Sequence, residues 1–302
     1  MFLLTPFCEV FIICIAFFAL TCFSVPTSSK PPAARSQNAI ANGVPLRILP
    51  LGDSITFGTG STDGTGYRLH LLNHLTRFNP VHYIGSVQSG NMTNAANEGH
   101  PGLPIGPVGH EGVKNYIHRP NVILLMAGTN DIVFNLNPAG APRVLGRVVD
   151  EIVEGCPGAA VLVGSLTPLR KAEREEMRVA FNVALRDVVI AEREGKHVAL
   201  VDMERVKMEH IAKDGIHPTD EGYELMAQAW YEAIVEAGER GWISEPYMYT
   251  RRPGNVIIKY GELGKRWRSA HLTGAMAAAM GCFVVVWKFV LVRRREGDGL
   301  RI

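Results

Sequence analysis

Only one cysteine, Cys156, stands in the body of this 302-residue chain; the other four, Cys8, Cys14, Cys22 and Cys282, lie in apolar stretches at the two ends. A domain built from the middle therefore has to fold without an internal disulfide. Hydrophobic residues make up 47% of the sequence, enough for a full core. An excess of charge is missing too. The formal net charge is +2, and no basic stripe with interleaved aromatics occurs, which argues against nucleic acid as a partner. No internal repeat is present. Gly58, Gly60, Gly64 and Gly66 follow a predicted strand but fit neither the Gly-Lys-Ser/Thr phosphate loop nor G-x-G-x-x-G, so they read as a flexible rim. His70 and His74 share a helix face, yet Leu71-Leu72-Asn73 between them lacks a metalloprotease glutamate, and they read as ordinary surface histidines. No metal or organic cofactor is expected.

The ends are apolar. Residues 10–24 resemble a signal-peptide core, with 1–24 as the expected signal peptide and an uncleaved anchor as the rival; no Lys or Arg precedes the core. Residues 25–43 are rich in Pro, Ser and Ala and predict a flexible leader. Residues 270–292 suit the roughly 20 residues needed to cross a bilayer, and Arg293-Arg294-Arg295 suit a cytoplasmic stop. The expectation is a single-pass membrane protein with a polar stalk at 241–269, a cytoplasmic tail at 293–302 and its domain on the extracellular or lumenal side. The triplet Asn91-Met92-Thr93 is a glycosylation acceptor that agrees with this side.

Between residues 44 and 240 strand and helix signals alternate. Apolar runs recur at 46–51, 81–87, 122–126, 160–164 and 198–201, and the last three suit central parallel strands covered on both faces. Helical stripes lie between and after them. Leu145, Val148, Val149 and Ile152 follow Pro142; Met177, Phe181, Ala184, Leu185 and Val188 form a second stripe; Tyr223, Met226, Ala227, Trp230 and Ile234 form a third, with Thr219 as cap. The prediction is an α/β fold, a three-layer α/β/α sandwich around a five-stranded parallel sheet. Sites in such sheets lie outside the carboxyl ends of the strands.

Three motifs fall at that edge. Gly52-Asp53-Ser54 follows the first strand, Gly128-Thr129-Asn130-Asp131 the third, and Asp214-Gly215-Ile216-His217-Pro218 the fifth. A serine hydroxyl needs a base, His217 is the leading one, and Asp214 stands three residues away to orient it. An acyl-transfer site also needs oxyanion donors. The candidates are the Ser54 amide, the Asn130 side chain and a backbone amide in Glu98-Gly99-His100-Pro101-Gly102, with Gly102 preferred and Gly99 the alternative. Asp53 suits backbone hydrogen bonding in its turn.

Taken together, the four motifs resemble the SGNH (GDSL-type) hydrolases over about residues 46–240, with Ser54, Gly102, Asn130 and His217 matching the four letters. The resemblance implies a flavodoxin-like sandwich. Within that superfamily, the Glu98–Gly102 loop and the run from Asp214 to Tyr223 resemble carbohydrate esterase family three, which includes acetyl xylan esterases. The implied function is a serine esterase acting through an acyl-enzyme on small esters or acylated carbohydrates. A lipid- or thioester-directed hydrolase and a non-catalytic membrane-tethered binding protein are the alternatives.

Overall fold

The run Leu46–Gly52 forms β1, the strand that organises the sheet, in the computed structural model of the chain, which describes residues 39–246. The predicted signal segment, most of the leader, residues 247–269 of the stalk, the membrane helix and the tail lie outside the described residues. Among the described residues no helix is long and apolar enough to cross a membrane.

Six more strands follow: β2 (Val81–Tyr83), β3 (Val87–Gln88), β4 (Ala96–Gly99), β5 (Val122–Met126), β6 (Ala160–Gly164) and β7 (Val198–Val201). Their order is β3-β4-β1-β5-β6-β7, with β2 also paired to β1. The expected five-stranded parallel sheet is corrected to a seven-stranded mixed one, because β3 runs antiparallel to β4. The predicted strand at 81–87 stops at Tyr83, and its place beside β1 is filled in two pieces. β2 pairs with residues 46–48 of β1, and β4 pairs with Leu51 and Gly52.

Pro50 sits at the break. Leu46 N donates to Pro80 O, and the carbonyls of Ile48 and Gly52 accept from Ile84 N and His100 N. Even-numbered residues of β1 therefore face the β2/β4 side. A proline there has no N–H to donate, so the ladder loses nothing by being interrupted at that position. Beyond Tyr83 the chain turns away at Gly85, where a Cβ would meet the Asn97 carbonyl at 2.1 Å.

The helices are α1 (Ser54–Phe57), α2 (Tyr67–Leu75), α3 (Ile105–Val113), α4 (Thr129–Val133), α5 (Ala141–Gly155), α6 (Ala172–Leu185) and α7 (Asp220–Glu239). Their apolar stripes seal the sheet. All four predicted positions of α5 are fully buried, as are all five of α7, where Thr219 Oγ accepts from Gly222 N. α2 and α7 pack together, and the rings of Tyr67 and Trp230 lie 5.9 Å apart. Trp230 also covers β6 at Gly164, where a Cβ would stand 3.0 Å from the indole. α3 crosses α5 closely at Gly109, where a Cβ would meet Val148 at 2.7 Å. The α6 stripe slips by one residue. A π-helical turn over Arg186–Ile190 adds a residue, so Val189 rather than Val188 is the fully covered position. The chain stays on the domain past residue 240: Ile243 is buried and Ser244 O accepts from Asn121 Nδ2.

Candidate active site

β1 ends at Gly52, where a side chain would strike the Met126 carbonyl at 2.3 Å. The chain then turns at once into α1. Asp53 caps it, its Oδ1 accepting from Ile55 N at 2.9 Å, and Gly58 closes it in the left-handed region at φ 98°. This places Ser54 at the first helical position, outside the carboxyl edge of the sheet.

The other half of the site arrives from far along the chain. Residues 211–218 form a small hairpin closed by an antiparallel bridge between Ile211 and Pro218 and by Ala212 N donating to His217 O at 2.8 Å. Asp214 shapes its tip, with Oδ1 accepting from Ile216 N at 2.9 Å and His217 N at 3.0 Å. Its second oxygen lies 2.6 Å from His217 Nδ1, and His217 Nε2 lies 2.8 Å from Ser54 Oγ. An ionised carboxylate only accepts, so the ring proton belongs on Nδ1 and Nε2 is left bare to take the serine proton. Partial burial alone would raise the Asp214 carboxyl, but the hydrogen bonds from His217 and Ile216 outweigh it and hold the group below its ordinary range. Asp214 therefore stays anionic at neutral pH.

Ser54, Asp214 and His217 are thus brought into one relay. Asn130, at the start of α4, donates one amide hydrogen to Leu103 O at 3.0 Å and keeps a second. That bond ties it to the loop carrying Gly102, whose φ is 83°. Among the described residues neither the Ser54 amide nor the Gly102 amide is spent on another group. Gly99, the rival glycine, is committed elsewhere: its N–H donates to Asn97 Oδ1 at 2.9 Å, and a Cβ on it would lie 2.3 Å from Phe57 N. Its part is to let β4 pack against the turn that carries Ser54. Gly102 is the glycine with an amide to offer.

The glycine run at 58–66 is a rim, but a tightly tied one. A Cβ on Gly60 would stand 2.8 Å from the His217 Cβ, Tyr223 Oη donates to Thr59 O at 2.6 Å, and both the amide and the hydroxyl of Thr62 donate to Asp220 at 2.8 Å. His74 packs beside Tyr231, the rings tilted at 39° with centroids 5.4 Å apart.

Three further buried side chains support the site, and one of them, Arg68, stands in no motif. Arg68 is fully buried and has its donors on the carbonyls of Thr56, Phe57, Gly64, Ser89 and Ala95, binding the turn that carries Ser54 to the rim. Glu98, also fully buried, accepts from Ser86 N and Oγ at 2.8 Å, from His100 Nε2 at 2.6 Å and from Asn115 Nδ2 at 2.5 Å. Glu98, His100 and Glu111 present donor atoms within 4.8 Å of one another, but Glu98 is saturated by protein donors in this arrangement. Asp131 accepts from Ile105 N at 3.0 Å and so fixes the far end of the Gly102 loop.

Burial pushes the Asp131 carboxyl up to about 7 and that of Asp53 up to about 6, the latter held down in part by the Ile55 amide and the His217 charge. A carboxyl with a higher pKa in the folded chain than in the unfolded one binds its proton more tightly when folded. Its contribution is complete below the unfolded value of 3.8 and is lost as pH rises through about 7 for Asp131. Asp131→Asn keeps an acceptor for Ile105 N and removes the charge. It is expected to flatten the fall in urea midpoint between about pH 4 and pH 7; a slope equal to that of the wild type contradicts the assignment.

Residues 51–225 match the family described as GDSL-like Lipase/Acylhydrolase. A multidomain esterase from Ruminococcus flavefaciens is 27% identical over 283 residues, covering 80% of this chain and 35% of that protein. A putative endoglucanase X from Acetivibrio thermocellus is 26% identical over 125 residues, 39% of this chain and 52% of that one. The chain thus spans about a third to a half of the length of these curated relatives. Among solved structures, a Clostridium thermocellum family 3 carbohydrate esterase superposes with a TM-score of 0.58 at 26% identity, covering 65% of this chain and 98% of that one. A family 3 carbohydrate esterase from Talaromyces cellulolyticus, at 19% identity and a TM-score of 0.56 over 65% and 99% of the two chains, shares the fold. With the matched span running from the end of β1 into α7 and taking in every motif at the sheet edge, the chain belongs to the GDSL-like lipase/acylhydrolase family.

Proposed function

We propose that this hydrolase removes short acyl groups, acetyl above all, from carbohydrate esters through a serine acyl-enzyme. The observation that carries the mechanism is the unbroken relay from Asp214 through His217 to Ser54, with contacts of 2.6 and 2.8 Å. Ser54 Oγ attacks the ester carbonyl while His217 Nε2 takes its proton, and the carbonyl oxygen gathers charge as the tetrahedral intermediate forms. The Ser54 and Gly102 amides and the free hydrogen of Asn130 receive that charge. Collapse expels the alcohol, which takes the proton back from His217, and leaves the acyl group on Ser54. Water, deprotonated by the same histidine, then releases the acid and restores the serine. No step calls for a metal or an organic cofactor.

The carbohydrate half of the reading is supported by the likeness to the Clostridium thermocellum family 3 carbohydrate esterase, which this chain covers almost end to end. Its test is a panel on one preparation: acetylated xylo-oligosaccharides, aryl acetates, long-chain lysophospholipids and acyl thioesters. Acetate release from the oligosaccharide with the highest kcat/KM is the expected result. Preference for the lysophospholipid or the thioester replaces the sugar with a lipid or thioester substrate.

The surroundings of the domain belong to the same proposal and rest on the sequence. A signal peptide at 1–24, a leader at 25–43, a hydrolase domain at 44–240, a stalk at 241–269, a membrane helix at 270–292 and a cytoplasmic tail at 293–302 would hold the site on the extracellular or lumenal face. Asn91, which is exposed, is the acceptor such a location would glycosylate. Protease added outside intact cells should then remove the domain; its protection reverses the topology.

A further inference from the structure

The hairpin at 211–218 carries both Asp214 and His217, yet Ser54 comes from an element 163 residues away in sequence. Nothing inside the hairpin fixes its position relative to β1. Its internal bonds set the mutual placement of Asp214 and His217, including Gly215 N donating to Ala212 O at 2.9 Å. They do not set the 2.8 Å gap from His217 to the serine. That gap depends on what holds the hairpin from outside.

Ile211 at its base is buried in the core, and one residue, Arg170, supplies hydrogen bonds to both tip and base. Arg170 N donates to Gly215 O at 3.0 Å, at the tip of the hairpin. Its Nη2 donates to Ile211 O at 2.7 Å and reaches Ala212 O at 3.5 Å, at the base. Among the described residues, every hydrogen bond donated from outside the hairpin to the carbonyls of residues 211–216 comes from Arg170. Its stem lies along the tip, for a Cβ on Gly215 would stand 2.8 Å from the Arg170 Cβ, and Gly215 has a φ of 77°. Glycine is what lets the two backbones approach there.

Arg170 is itself firmly based. It ends the loop after β6, and α6 grips that loop at three points. Asn182 Oδ1 accepts from Leu166 N at 2.9 Å, Arg178 Nη1 donates to Leu166 O at 3.1 Å, and Glu175 Oε2 accepts from Leu169 N at 2.7 Å. α6 also reaches the Asn130 element, since Arg174 Nη2 donates to Val133 O at 3.1 Å and Phe181 packs where a Cβ on Gly128 would be. One helix thereby backs both the base and an oxyanion donor.

We infer that Arg170 is a positioning residue for the esterase reaction, clamping the Asp214–His217 hairpin at tip and base so that His217 Nε2 stays within reach of Ser54. The inference rests on the Ser54–His217 mechanism proposed above. A shift of the hairpin by a fraction of an ångström lengthens the proton-transfer path while leaving the surface that holds substrate untouched, and displacements of about 1 Å can cost on the order of a hundredfold.

The test uses three variants beside the wild type. Ser54→Ala first reports on the mechanism: if it retains turnover, the serine relay fails, whatever Arg170 does. With the relay standing, Arg170→Ala is expected to lower kcat by about tenfold or more, with KM within about twofold of wild type. Covalent labelling of Ser54 by a fluorophosphonate should slow in parallel, because it needs the same base. Arg170→Lys restores a charged donor on a long stem and should recover most of both rates. Arg170 is exposed, so the melting temperature should hold. Should Arg170→Ala fold poorly, Arg170→Gln gives the same reading with more of the stem kept. A kcat within twofold of wild type in the folded variant overturns the inference. So does a loss confined to KM, which would make Arg170 a substrate contact.

Discussion

Replacing Ser54 by alanine should abolish ester turnover, by about 10⁴-fold or more in kcat, in a protein that keeps its fold. Ser54 is 7% exposed and, among the described residues, its hydroxyl bonds to His217 alone, so its removal leaves no buried partner stranded in the core. Circular dichroism and thermal melting should match the wild type while aryl acetate hydrolysis disappears. His217→Ala should cost a comparable factor, and the double variant little more than either single one. Groups that act as one unit are lost together, whereas independent contributions would multiply. Wild-type turnover in folded Ser54→Ala contradicts the mechanism.

Asn130→Ala is expected to lower kcat by roughly 10²–10³-fold with only a small change in KM. The ground-state carbonyl gains little from the side-chain amide, whereas the oxyanion of the intermediate gains much, so the loss belongs to the chemical step. Asn130 also donates to Leu103 O at 3.0 Å and so braces the loop with Gly102. Asn130→Asp separates the two roles. It removes both amide hydrogens and puts a negative charge where one has to form, so it should be at least as inactive as the alanine variant. A loss appearing in KM with kcat preserved would move Asn130 from transition-state stabilisation to substrate binding.

Much of this arrangement is legible in the sequence, for a definite reason. β1, β5 and β6, like the stripes of α5 and α7, repeat apolar residues at the periods their geometry demands, and burial follows the pattern. Ser54 and Asn130 stand in compact motifs at strand ends, so the topology brings them to one edge, whereas Asp214 and His217 share one motif in the hairpin beyond β7. β4 escapes the same reading because Ala-Asn-Glu-Gly has no apolar alternation. It is a strand because Asn97 and Glu98 find their partners only after the chain has folded. The choice between Gly99 and Gly102 also waits on coordinates, since which amide is already engaged leaves no trace in residue order. Arg68 and Arg170 are invisible for a related reason. Each serves carbonyl oxygens, which every residue has, and no spacing announces such a partner. Of the two carboxyls with raised pKa, Asp53 could be read as a cap, but the closeness of Asp131 to Ile105 N is a tertiary fact.

The gap at Pro50 bears on how this scaffold can be redesigned. The segment from residue 84 to 95 leaves the side of β1 after Ile48, where Pro50 has no amide to offer, passes through β3 and returns as β4 at Leu51, three residues further along. The tip between β3 and β4, residues 90–93, lies outside the ladder, and each doubling of its length costs only about 0.6 kcal/mol in closure entropy. The same segment leans on the glycine rim, with Asn91 N bonded to Asp63 O and a Cβ on Gly64 closely approaching Gly90. Through Gly60 that rim touches His217. A longer peptide grafted between residues 91 and 93 would thus leave the β3–β4 pairing in place and build outward beside Ser54 and His217, a place to change what reaches them without moving either.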